Sequence, residues 1–106
     1  MFEVKKNSTQ IGNNKLFTYE REVSGRRNIL NVEAGTRDYG NGKTETYASI
    51  ISYEGDMMFG PAVDKNTGET RGFAIKTESS DGRDTLIKGL RFLLKVLDEE
   101  RMGVNN

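Results

Sequence analysis

Residues 84–97 read DTLIKGLRFLLKVL, and their apolar positions recur with a period near 3.6. Leu86, Leu90, Leu93 and Leu97 follow one another at intervals of four, three and four, with Ile87 and Leu94 beside them. That spacing predicts an amphipathic helix, with Ser80 or Asp81 capping its start and Gly103 closing its end. Asp84 with Lys88, and Lys95 with Glu99, stand four apart for pairing on the solvent side. On a wheel of about 100° per residue the charged side chains fill a stripe of roughly 100°, and apolar or small residues an arc of roughly 220°. A helix lying on a sheet needs an apolar arc of little more than about 100°. The surplus runs along Thr85, Gly89, Phe92 and Val96. Either a curved sheet wraps these four as core, or they form an interface. In the second case Gly89 admits another backbone, and Phe92 and Val96 pack on a protein partner or on the same helix of a second copy about a two-fold axis.

Upstream of the helix the period is two. Turn signals rich in Gly, Asn, Asp and Ser recur at Gly12-Asn13-Asn14, Ser24-Gly25-Arg26, Gly40-Asn41-Gly42, Glu54-Gly55-Asp56 and Asn66-Thr67-Gly68. Residues 15–23 set Phe17, Tyr19 and Val23 against Thr18, Glu20 and Glu22, and residues 27–34 set Leu30, Val32 and Ala34 against Asn31 and Glu33. Both read as half-buried antiparallel strands. Residues 43–53 carry Ala48 and Ile50 on one side and Tyr47, Ile51 and Tyr53 on the other, the pattern of a central strand covered on both faces. Residues 57–63 and 70–77 form a hairpin around Asn66-Thr67-Gly68, with Phe73 and Ile75 facing inward; Pro61 makes the first arm an edge or a bulge. Residues 2–6 add a short strand. The predicted fold is α+β: an antiparallel β-meander of five or six strands packed against one C-terminal α-helix, with residues 1–106 as a single domain.

Composition removes most chemistry. Among the 106 residues there is neither cysteine nor histidine, so a thiol nucleophile, a disulfide frame and the commonest base and metal ligand are all missing. Sixteen basic and sixteen acidic side chains cancel, which speaks against a dedicated nucleic-acid binder. No apolar run approaches the roughly 18 residues of a membrane span. A cytoplasmic location is expected, with no cofactor and no metal.

Several motifs dissolve on inspection. Gly40-Asn41-Gly42-Lys43-Thr44 looks like the end of a phosphate loop, but Arg37 stands where the first glycine belongs and strand formers follow. The segment from Asp64 to Glu69 lacks the ligands of a calcium loop. Glu20 with Glu22, and Asp98 with Glu99, lie on predicted solvent faces, and no nucleophile elbow supports Ser49 or Ser52 with Lys76. The chain therefore reads as non-enzymatic. One set carries more weight: Tyr19, Arg21, Arg26, Arg27, Arg37, Tyr39 and Lys43 interleave cations with aromatics, as single-strand platforms do. A meander followed by a helix also resembles, in layout alone, small single-strand-binding coactivator folds, which implies single-stranded nucleic acid as a ligand. The leading expectation is a small binding protein of accessory or inhibitor type, of the sort phages and mobile elements carry, acting through a protein–protein surface as a homodimer. The alternative is single-stranded nucleic-acid binding by the basic and aromatic strands.

Overall fold

A computed structural model describes residues 4–11 and 14–101. Strands β1 (Lys5–Ile11), β2 (Asn14–Ser24), β3 (Ile29–Asp38) and β4 (Thr44–Glu54) form an antiparallel sheet in chain order. Strands β5 (Met58–Val63) and β6 (Thr70–Lys76) form a separate two-stranded sheet, and α1 (Ser80–Arg101) ends the described chain. The fold is α+β, a four-stranded meander with a hairpin and a C-terminal helix. The short strand expected over 2–6 begins at Lys5; residues 2 and 3, like Gly103, lie outside the described residues.

The period-two alternation places Tyr19, Arg21 and Val23 opposite Ala34, Val32 and Leu30, which in turn face Ala48, Ile50 and Ser52. This is the inner face of the sheet, and α1 lies on it across β3 and, to a lesser extent, β2. Val23, Leu30, Val32, Ala34, Met57, Phe92, Leu93 and Val96 form the core, with Tyr19, Ile50, Leu86 and Leu97 at its margin. Phe17, on the same side of β2 as Tyr19, lies beyond the helix and stays half exposed, its ring 5.2 Å from the Lys6 ammonium. On the outer side Thr18 is buried rather than wet, because its hydroxyl donates to the Glu33 carboxylate.

Two expectations are corrected. β4 is the edge of its sheet and not a central strand. The meander also stops there, because the turn after β4 is captured by the helix end. Gly55 takes φ 124°, a value that favours glycine, and sits so close to Asn28 that a Cβ would collide with it. The Asp56 N–H then donates to Asn28 Oδ1 (3.0 Å), and Met57 turns into the core. The chain thus leaves the sheet before β5 begins, and the β5–β6 hairpin makes no more than marginal contact with any other described element.

A polar knot joins the helix start to the sheet. Ser79, one residue earlier than expected, caps α1 by accepting from the Gly82 N–H at 3.0 Å. Asp81 is thereby freed to reach across to the β2–β3 turn. Its Oδ1 accepts from the Arg26 N–H (2.7 Å), and its Oδ2 accepts from the Arg27 N–H and from Asn28 Nδ2 (both 2.9 Å). Gly25 lies against this carboxylate, where any Cβ would strike Asp81 Oδ1 and Thr85 Oγ1. Lys88, expected to pair with Asp84, instead donates to Ser24 O at 2.9 Å, while Asp84 pairs with Arg83.

Asn28 is 1% exposed and bonds to both sides of the knot. Asn28→Ala strands the Asp56 N–H and an oxygen of Asp81, and is expected to cost about 1–3 kcal/mol in urea unfolding. The Asn28 amide and the Arg26 and Arg27 N–H groups lower Asp81 from its usual 3.8 to about 2. A depressed carboxylate stabilises the fold fully above its unfolded value and loses that contribution as pH falls through its folded value. The gap in melting temperature between wild type and Asp81→Asn is therefore expected to be constant above about pH 5 and to close between pH 4 and 2.

Candidate interaction surfaces

The helix is rolled opposite to the expectation that its small-residue side lies bare. Thr85 is 0% exposed, Phe92 8% and Val96 7%, and Gly89 is also buried. The groups that approach Gly89 are Val32, Leu30 and Val23 of the chain's own sheet. Thr85 tolerates full burial because its hydroxyl donates to Asp81 O at 2.8 Å. These four residues are therefore enclosed by the sheet and cannot serve as a docking seam in this fold. The apolar surplus is real but lies on the other flank, where Ile87, Leu90 and Leu94 stand exposed, Leu94 at 61%. The periodicity alone could not choose between the flanks, since both are apolar. The Asp81 and Lys88 bonds to the β2–β3 turn choose for it.

The hairpin carries the second exposed apolar surface. Cross-strand pairs Phe59 with Ile75 and Pro61 with Phe73 put these four side chains on one face, as the alternation predicted. That face is not inward: Phe73 is 87% exposed, and every residue of β6 is exposed. Phe59, Gly60, Pro61, Thr70, Gly72 and Phe73 line an open groove of about 390 Å³. Asp64 closes the tip, accepting from the Gly68 N–H through its main-chain oxygen and from the Asn66 N–H through Oδ1. Its carboxylate thus serves the turn. Lys76, considered beside Ser49 or Ser52, forms an ion pair with Glu78 at 3.9 Å.

The basic and aromatic residues separate into three places. Tyr19 and Arg21 lie on the helix side of β2, where Tyr19 packs at the core margin and Arg21 Nε is buried without a hydrogen-bond partner. Arg26 and Arg27 occupy the β2–β3 turn beside Asp81. Arg37, Tyr39 and Lys43 gather at the β3–β4 turn, at the far end of a ten-residue strand that spans about 33 Å. There Arg37 stacks on the Tyr39 ring at 4.6 Å and Lys43 lies 5.4 Å from it. The neighbouring Glu45 carboxylate raises the Tyr39 hydroxyl above its usual range. Only these last three of the seven come together.

Phe92→Ala removes a core ring and is expected to lower unfolding free energy by about 3–5 kcal/mol; a surface position would change it by less than about 0.5 kcal/mol. Urea titration separates the two. Comparison of the chain with known families, curated proteins and solved structures returns no match in any of the three.

Proposed function

We propose that this chain is a small non-enzymatic binding protein, of accessory or inhibitor type, that acts through protein–protein contact made by the β5–β6 hairpin. The observation that carries the reading is Phe73, a phenylalanine 87% exposed on a face otherwise built of Phe59, Pro61 and Ile75. A two-stranded hairpin with little tertiary support is marginal in water, and contiguous exposed apolar surface marks contact sites. The groove beside Phe73 suits an apolar side chain of a protein segment, with the hairpin's aromatic rings as anchors. A second reading, single-stranded nucleic acid, is favoured by the Arg37–Tyr39–Lys43 cluster, which offers one stacking ring and two cations.

Wild type, Phe73→Glu and Lys43→Glu are immobilised and exposed to lysate of the native host. A protein retained by wild type and Lys43→Glu, and reduced roughly tenfold or more by Phe73→Glu, is the expected result. Equal retention by Phe73→Glu, or no protein retained by wild type above that variant, overturns the hairpin reading. An oligonucleotide held by wild type and lost from Lys43→Glu alone replaces it with the second.

A further inference from the structure

We propose that two copies of this chain pair through their β4 edges, antiparallel about a two-fold axis at Ser49, to make one continuous eight-stranded sheet. Among the described residues nothing pairs with the outer side of β4. Such an edge offers a row of free N–H and C=O groups, and natural sheets usually blunt it with charge, proline or a bulge. The opposite edge, β1, is treated in that way: it carries Lys5 and Lys6 followed by Asn7, Ser8, Thr9 and Gln10. β4 is eleven residues long and has no charge between Glu45 and Glu54; its one register shift falls at Tyr53, near the end of the strand, and residues 44–52 are regular. Its faces are apolar on both sides, Ala48 and Ile50 inward, Tyr47, Ile51 and Tyr53 outward, with Tyr53 62% exposed. A strand with the composition of a central position stands at an edge; a second copy makes it central.

The sequence of β4 is complementary to itself in this register. With Ser49 opposite Ser49, Tyr47 faces Ile51, Ala48 faces Ile50 and Thr46 faces Ser52. The register shift at Tyr53 ends the regular stretch, so the pairing is carried by residues 46–52, which hold no charge. The axis is perpendicular to the sheet, which leaves both helices on the same side. Lys88 ties the polar flank of α1 toward β2, so Leu86 leans the other way, while Leu94, about 180° around the helix from buried Thr85, faces away from the sheet. With strands about 4.8 Å apart and a helix radius of about 5–6 Å including side chains, a helix seated on β3 reaches toward β4 and its inward residues Ala48 and Ile50 and leaves the seam itself to the paired strands. Zero net charge puts no overall repulsion against self-association.

This interface is separate from the hairpin, and the experiment keeps the two apart. Analytical ultracentrifugation of wild type is expected to give twice the 11.9 kDa chain mass. Ser49→Lys and Ser49→Asp each place like charges face to face on the axis and are expected to sediment as folded monomers, judged by circular dichroism. Mixing the two variants is expected to restore a dimer containing one of each, a result that misfolding could not produce. Phe73→Glu is expected to remain dimeric. A monomeric wild type at high concentration overturns the inference, as does a dimer untouched by both Ser49 variants or one broken by Phe73→Glu alone. Monomeric variants that fail to recombine overturn the pairing at Ser49.

Discussion

The Asp81 carboxylate holds the β2–β3 turn across a separation of 55 residues, and the arrangement of the rest follows from that grip. It uses both oxygens, on two main-chain N–H groups and one buried amide, the charge-assisted kind of hydrogen bond that is shorter and stronger than a neutral one. Through Asn28 the same network reaches the turn after β4 and diverts the chain out of the sheet. Through Thr85, one turn along α1, it fixes which flank of the helix meets β3. Lys88 on Ser24 adds a second fixed point another turn along, and two points determine the roll of a helix.

Hydrophobic burial alone would not have chosen that roll. The buried flank offers Thr85, Gly89, Phe92 and Val96; the open one offers Ile87, Leu90 and Leu94 with Leu86 and Leu97 at the boundary. Burying an aliphatic side chain is worth about 1.5–3 kcal/mol, so the leucine flank has at least as much to gain. Small residues have a different advantage. Gly89 lets the helix settle onto Val32 and Leu30, and close packing recovers dispersion contacts that a row of leucines at larger spacing would forfeit.

Local pattern made the elements legible and left their placement open. Period two located β2, β3, β4 and the hairpin, and period 3.6 located α1, because those signals come from neighbours in the chain. The side-chain bonds of Asp81, Asn28 and Lys88 span 28 to 64 residues, and no window of sequence contains them. The roll of α1 was therefore left open between core and interface, and the turn that takes the chain out of the four-stranded sheet after Glu54 was not foreseen. The hairpin's alternation correctly put Phe73 and Ile75 on one face, while the idea that this face is inward assumed a neighbour that the turn at Gly55 carries out of reach. Of the basic and aromatic set, only residues flanking one turn, Arg37, Tyr39 and Lys43, met in space.

The division of side chains between inside and outside bears on how this chain exists in solution. Fully buried positions include Thr18, Asn28 and Thr85, polar residues that need hydrogen bonds to be tolerated there. Exposed positions include Phe73, Leu94, Tyr53, Leu90, Ile51 and Phe59, in a chain only 34% hydrophobic. A chain selected to be self-sufficient would have little reason to spend polar groups inside and aromatic and branched ones outside. The exposed set is also ordered and not scattered: the leucines lie along one flank of α1, Ile51 and Tyr53 on the outer face of the β4 edge, and the phenylalanines on one face of the hairpin. In the proposed pairing a second copy turned about Ser49 takes up the free main chain of the β4 edge. The hairpin stands apart from that edge and is left free for a different molecule.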